Sequence, residues 1–481
     1  MAKSAAGILK LMKENNCDIL DLKFTDLPGT WQHFSVPIGQ VDDSLVEKGV
    51  GFDGSSIRGF QSIDESDMLI VPDPSTAKVD PFHSGTVTCI ADIRDPITSE
   101  SYSRDPRNIA KKAEKYLQST GIGDTSFWGP EVEFFIFDSV QFDYGSNFAM
   151  HKVDSDEGIW NSGAETMLDG QTLNKGYRPR HKEGYFPASP VDTAQELRSE
   201  MVRSLVNDFG LVIEAQHHEV ATGGQAEIDM KYDSLLKTAD SVMMYKYAVR
   251  NVAKRHGKVV TFMPKPFQNL TGNGCHAHIS LWDGKQNKFL ESGEKLGLSK
   301  IAYNFLGGIM KFAQPLTAFF NPTINSYRRI NAPPTKSGAS WSPSSISYSG
   351  NNRTHMIRVP DPGRFELRLM DGATNPYLLQ AGVAVAGIHG LINKIDPGEP
   401  LSCNMYTEYK KYPDLKKLPD CIEDSLDELD NSKEIKEAFG EDVINSFIKL
   451  KKMEIEEFNK EENFDKKKEV TSWEKENTLD C

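Results

Sequence analysis

A strand with acids on one face and bulky hydrocarbon on the other constrains a fold tightly, because its two faces need opposite surroundings. Residues Glu131-Val132-Glu133-Phe134-Phe135-Ile136 form such a segment. The period of two in β structure puts Glu131 and Glu133 side by side, with Val132, Phe134 and Ile136 turned the other way. Neighbouring carboxylates in an otherwise apolar strand repel each other unless something cationic lies between them. Taken alone, the segment suits a solvated sheet edge as well as it suits a metal site.

Three further segments have the same one-faced character. In His217-His218-Glu219-Val220-Ala221-Thr222-Gly223-Gly224-Gln225-Ala226-Glu227, the paired glycines can bend the backbone and bring Glu219 toward Glu227. In Gly272-Asn273-Gly274-Cys275-His276-Ala277-His278-Ile279-Ser280, a glycine-rich turn leads into a strand with His276, His278 and Ser280 on one face. Arg364-Phe365-Glu366-Leu367-Arg368-Leu369 sets Arg364, Glu366 and Arg368 against Phe and Leu, so Glu366 is either a ligand or simply neutralised by its arginines. Arg328, Arg329, Arg353 and Arg358 add guanidinium groups, whose planar fork suits carboxylate and phosphate.

Oxygen donors with a single imidazole favour Mg2+ or Mn2+ over zinc. Hard cations together with arginines point to phosphoryl transfer, where positioning and charge neutralisation supply most of the catalysis. No GxxxxGK[ST] loop is present, which excludes a P-loop enzyme.

The remaining sequence sets the frame. At 481 residues the chain can hold two or three domains. A net charge of −14 argues against nucleic acid as a partner. No apolar run approaches the roughly 18 residues of a membrane span. The amino terminus lacks the apolar core of a signal peptide, and six scattered cysteines without a CxxC pair favour a reduced, cytoplasmic setting. Strands are expected at 19–24, 31–36, 68–71 and 86–93, with a turn at Asp26-Leu27-Pro28-Gly29 and a helix before them at 8–15. These describe a small α+β domain over residues 1–100, followed by a larger one over 101–481. Pro106 opens a helix running to about residue 117. Residues 141–185 and 331–351 read as loops. The tail from residue 423 is helical in pattern, with Val443, Phe447, Leu450 and Met453 on one face and Lys466-Lys467-Lys468 solvated.

Taken in order, these segments resemble the glutamine synthetase family over essentially the whole chain. Phe52-Asp53-Gly54-Ser55-Ser56-Ile57, Met263-Pro264-Lys265-Pro266, Asn321-Pro322 and Asn375-Pro376-Tyr377 add to the match. The resemblance implies an α+β fold, with a small β-grasp-like amino-terminal domain and a large catalytic domain of curved antiparallel sheet and helices. It implies a homo-oligomer, a dodecamer of two stacked hexamers, with active sites between neighbouring subunits. By position, Glu133, Glu219 and Glu227 hold one Mg2+ or Mn2+, and Glu131, His276 and Glu366 hold the other. Gly272, Arg329, Arg353 and Arg368 fall on the glutamate-binding positions. His278, Ser280, Arg358 and Arg364 fall on the ATP-binding ones. Asp53 falls on the acid at the ammonium site, reaching in from a neighbour, with Arg353 and Arg368 beside it in catalysis.

The activity implied is ATP-dependent ligation of ammonia to the γ-carboxylate of L-glutamate through a γ-glutamyl phosphate. Residues 1–230 resemble type I glutamine synthetases, whereas from about residue 262 to the ending Trp473-Glu474 through Asp480-Cys481 the match is closer to a type III subgroup that resembles γ-glutamylmethylamide synthetases. Methylamine or another small amine is therefore the alternative acceptor. Three departures from the family pattern bear on this choice. The flap after Arg329 has Thr335 about where an acid is expected, Thr271 replaces an asparagine, and Asp361 stands where a lysine often lies. Tyr406 occupies the place of a regulatory tyrosine but reads as an ordinary surface residue. A non-catalytic relative would have eroded its metal ligands, yet all six are present.

Overall fold

The computed structural model describes residues 4–145, 148–158, 160, 177–330, 332, 342–460 and 470–481. Thr335 with most of its flap, and Lys466-Lys467-Lys468, lie outside the described residues.

The first 100 residues build a six-stranded sheet around Ile19–Thr25, which pairs antiparallel with Trp31–Pro37 and parallel with Thr86–Arg94. The expected turn joins the first two strands. Asp26 Oδ1 accepts from the amides of Gly29 (3.0 Å) and Thr30 (2.7 Å), and Gly29 has a φ of 106°, which favours glycine. Ile8, Leu20, Leu22, Phe24, Ile70 and Val87 belong to a core of this region's own.

The second sheet has ten strands, centred on Thr125–Phe137. Cys275–Asp283 pairs with one side of that strand and Gln225–Met230 with the other, both antiparallel. Phe365–Leu367 and Ile357–Arg358 extend the sheet beyond Cys275–Asp283, and Ile213–His218 closes the opposite side. Trp128, Val132, Phe134, Ile228 and Ala277 share a core with Ala239, Val242 and Tyr245 of the helix Leu235–Arg255. Arg107, in the first turn of Pro106–Ser119, ties this layer to the first sheet. Its buried guanidinium bonds Asp240 (2.9 Å), Asp92 (2.8 Å) and Asp73 (2.8 Å).

Two expectations need correction. Part of the stretch read as a loop from 141 onward forms a hairpin, Ser139–Gly145 with Phe148–Asp154. The tail is helical as expected, and over residues 422–459 it is divided at Ser432 and Gly440 into Ile422–Asn431, Lys433–Phe439 and Glu441–Asn459. In the last of these, Val443 and Phe447 are buried as expected, but the buried stripe continues through Lys451 and Ile455. Met453 is 51% exposed.

Candidate active site

Strand register gathers the polar side chains of the second sheet into rungs on one face. His217 stands opposite Glu227, and Glu227 opposite Glu133. In the next rung Asp229 faces Glu131, which faces His276. In the one after, His278 faces Glu366, which faces Arg358. The alternation read from single strands thus becomes a continuous polar surface, because antiparallel pairing places like faces side by side.

Two groups of donor atoms lie close enough to share a cation. In one, His217, Glu219 and Glu227 offer atoms within 4.8 Å of one another; in the other, Glu131, His278 and Glu366 do the same. The hairpin that brings Glu219 toward Glu227 turns at Gly223 and Gly224, both at positive φ. These sets differ from the expected ones in one member each. Glu133 is held at the glycine turn, its Oε2 accepting from the amide of Gly274 (2.7 Å) and from Gln225 Nε2 (3.3 Å). His276 lies beside the second group, with Nδ1 3.5 Å from Glu131 and 4.0 Å from Glu366. Its Nε2 is buried with no hydrogen-bond partner among the described residues, against Gly274, where a Cβ would come within 2.7 Å.

The electrostatics fit divalent cations. Burial raises the carboxyls of Glu133, Glu219 and Glu227, and Glu133 raises the latter two further, Glu227 most of all. Burial and the charge of Glu131 bring Asp229 up to about 7. Burial also opposes ionisation of Glu131 and Glu366. In Glu131 the hydrogen bonds from His276 and His278 outweigh it, and in Glu366 Arg368 does, so both carboxyls are lowered. Burial, reinforced by Arg368, lowers His276 and favours the neutral imidazole that a metal requires.

The raised carboxyls make cation binding pH-dependent with a definite sign. The folded chain retains protons that the unfolded chain has released, so this part of its stability is complete below the ordinary carboxylate range. It is lost as pH rises through the raised values. Without cation, the melting temperature should fall between about pH 5 and about pH 8 for this reason, and saturating Mg2+ should raise it more at the higher pH. Calorimetry with and without Mg2+ checks this; a gain independent of pH would contradict it.

The arginines divide into an inner and an outer group. Arg368 and Arg358 both bond the fully buried Glu366, Arg358 at 2.8 Å. The pairing anticipated from the sequence is therefore present, although Arg364 takes no part in it. Arg364 bonds Asp361 and approaches His278 Nδ1 at 3.2 Å. Arg329 is buried, donates to the carbonyl of Leu369 (2.9 Å), and packs against Gly272 and Gly274. A Cβ at Gly272 would lie 2.3 Å from the carbonyl oxygen of Pro264, so only glycine fits. Thr271 donates to Gln225 Oε1 (2.7 Å), and Gln225 in turn bonds the carbonyl of Gly272 (3.0 Å).

Three expected residues stand apart from the donor groups. The Ser280 hydroxyl accepts from Trp282 Nε1 (3.0 Å). Arg353 is exposed, though its charge acts on Tyr185 together with those of Glu219 and Glu227. Asp53 is exposed on the strand Val50–Asp53 and accepts from the Ser55 amide (2.9 Å), Ser55 Oγ (2.6 Å) and Ser56 Oγ (2.9 Å).

Sequence reasoning left other residues without a role. Tyr185 and Phe186 set their rings edge-on to His217, at 5.5 Å and 4.7 Å. Tyr406 is half-buried, and burial pushes its phenol up to about 12 against the pull of Arg368 and Arg329. It therefore borders the arginine group and is not the ordinary surface tyrosine expected. His218, adjacent to two donors, turns to the other side of its strand and bonds the buried Glu157 (2.7 Å). Gly184 through Phe186 lie against this hairpin in space, but no spacing in the sequence signals it.

Paired acid–imidazole groups, arginines and a glycine turn on one face of an α+β sheet define a site for an anionic substrate and divalent cations. A family model of the glutamine synthetase catalytic domain matches residues 103–476, and one of the glutamine synthetase β-grasp domain matches residues 16–96. The glutamine synthetase of Aquifex aeolicus (strain VF5) is 45% identical over 461 residues, covering 94% of this chain and 95% of that protein. Among solved structures, Plasmodium falciparum glutamine synthetase matches with a TM-score of 0.86 at 28% identity, over 96% of this chain and 97% of that one. A GmaS/ADP complex matches at 0.81 and 33% identity, over 98% of this chain and 99% of that one. The chain belongs to the glutamine synthetase family.

Proposed function

We propose that this chain joins ammonia to the γ-carboxylate of L-glutamate at the expense of ATP, giving glutamine, ADP and phosphate. The observation that carries the reading is the shared face: two acid–imidazole groups adjoin a buried arginine cluster and a glycine turn. Identity of 45% to a glutamine synthetase over 94% of this chain supports ammonia as the acceptor.

In this reading Glu133, Glu219 and Glu227, with His217 beside them, hold one Mg2+ or Mn2+. Glu131, His276 and Glu366, with His278 adjacent, hold the second. Cations bound there neutralise phosphate charge and keep the crowded carboxylates ionised. Arg329 takes the α-carboxylate of glutamate, with the backbone at Gly272 closing against it. Arg353 and Arg368 orient the γ-carboxylate and the phosphoryl group, while His278, Ser280, Arg358 and Arg364 hold ATP. A γ-carboxylate oxygen attacks the γ-phosphorus and ADP leaves, forming γ-glutamyl phosphate. The ammonia nitrogen then attacks the acyl carbon and phosphate leaves, with the ammonium proton passing to Asp53. Excluding water protects the acyl phosphate from hydrolysis.

The quaternary reading is a dodecamer of two stacked hexamers, with Asp53 supplied across a subunit boundary. The division into a β-grasp-like domain over 1–100 and a catalytic domain over 101–481 belongs to the same proposal. No helix among the described residues is long and apolar enough to cross a membrane, and a cytoplasmic setting is in keeping with that.

The test is phosphate release from ATP and glutamate, comparing ammonium with methylamine at matched concentrations. At least about ten-fold higher kcat/KM for ammonium is expected, a difference of about 1.4 kcal/mol in transition-state binding. Preference for methylamine would overturn the choice of acceptor while leaving the activation step in place.

A further inference from the structure

The carboxyl-terminal helix Ser472–Thr478 is too short to owe much to its own backbone hydrogen bonds. Its capping box joins Thr471 and Glu474: Glu474 Oε2 accepts from the Thr471 amide (2.8 Å), and Thr471 Oγ1 accepts from the Glu474 amide (3.1 Å). A surface glutamate would complete such a cap equally well. Glu474 is instead fully buried, and its other oxygen, Oε1, accepts from Arg328 Nε (2.5 Å) and Asn325 Nδ2 (3.0 Å).

Both partners lead to the glycine turn. Arg328 precedes Arg329 in the short helix Ser326–Ile330. Asn325, also fully buried, accepts from the Lys265 amide (2.6 Å) and donates to the Lys265 carbonyl (3.0 Å), splicing the loop 263–266 to that helix. The preceding carbonyl, of Pro264, accepts from the Asn273 amide (2.8 Å). A Cβ placed on Gly272 would lie 3.3 Å from both Lys265 Cδ and Arg329 Cγ. The turn is therefore wedged between the helix that Glu474 holds and the loop that Asn325 splices to it.

We propose that Glu474 is a positioning residue for glutamate binding, holding Arg329 and the Gly272 turn in register from the far end of the chain. This rests on the reading of Arg329 and Gly272 as glutamate-binding groups. Removing the carboxylate charge takes an ionic partner from the largely buried Arg328 and loosens Asn325, through which the loop 263–266 is tied to the same helix.

The experiment is steady-state kinetics on E474Q, which retains a residue able to close the capping box. The KM for glutamate should rise about ten-fold, with the KM for ATP changed by less than about two-fold and kcat by less than about three-fold. T471A, which breaks the cap but keeps Glu474, should lower the melting temperature and leave the KM for glutamate unchanged. R329K tests the underlying reading separately, because it keeps the charge and loses the fork. If R329K leaves the KM for glutamate unmoved, the pocket assignment itself fails. If R329K raises it and E474Q does not, or E474Q raises both KM values alike, or T471A copies E474Q, the positioning role is overturned. Should E474Q fail to fold, R328K replaces it, with the same selective rise expected and the same outcomes deciding.

Discussion

Replacing Glu227 with glutamine is expected to stabilise the cation-free protein and at the same time to abolish turnover. Glu227 is buried beside Glu219 and opposite Glu133, and burial together with those two carboxylates raises its carboxyl well above the usual range. A neutral amide of the same shape removes a carboxyl that the cation-free fold must keep protonated, or hold charged, at a cost. The expected gain is about 1–2 kcal/mol near neutral pH, the size common when strain at a functional site is relieved. Activity should move the other way. Losing one carboxylate weakens the hold on a divalent cation, and kcat/KM should fall by about a thousand-fold, some 4 kcal/mol of transition-state stabilisation. Chemical denaturation in the presence of a chelator and phosphate release with Mg2+ are the two readouts. A destabilised E227Q would mean that the carboxylates are satisfied without a cation. A stable E227Q with normal turnover would remove Glu227 from the site.

The same cluster marks how far the sequence could be read. Which residues face the site was legible from alternation within single strands, and the Gly223-Gly224 turn was legible from composition. Which donor meets which was not, because that depends on register between strands distant in sequence. His276 and His278 are two residues apart on one face, so alternation cannot rank them. Pairing with Thr125–Phe137 sets His276 opposite Glu131, yet it is His278 Nε2 that bonds Glu131, at 2.9 Å. His217 was quoted in its segment without a role, since only the pairing with Gln225–Met230 brings it to Glu227. The hairpin Ser139–Gly145 with Phe148–Asp154 escaped although Val140, Phe142 and Tyr144 alternate with Ser139, Gln141 and Asp143, because the returning strand keeps no such alternation. At the other end, Thr471-Ser472-Trp473-Glu474 spells a capping box in plain sight. What the spacing could not reveal is that the glutamate is buried against Asn325 and Arg328.

Co-assembling two inactive variants should restore activity if Asp53 serves a neighbouring subunit. Among the described residues, the hydrogen bonds of the Asp53 carboxylate go to Ser55 and Ser56 in its own turn, and the side chain is exposed. Those hydrogen bonds, Ser55 foremost, lower its carboxyl, so it is ionised at neutral pH and available to take a proton. D53A should therefore fold normally and keep its metal-dependent stabilisation, while ammonium-dependent turnover falls by about a hundred-fold or more, as for loss of a proton acceptor. E227Q loses turnover for the separate reason argued above. In an oligomer reassembled from equal amounts of D53A and E227Q, a site built across a subunit boundary receives both wild-type residues in about one case in four. A site built within one chain never does. Recovery of roughly a quarter of wild-type activity after co-assembly, with none on simple mixing of preformed oligomers, would establish the shared site. No recovery in co-assembled oligomers of confirmed mixed composition would return Asp53 to its own subunit, or to no catalytic part at all.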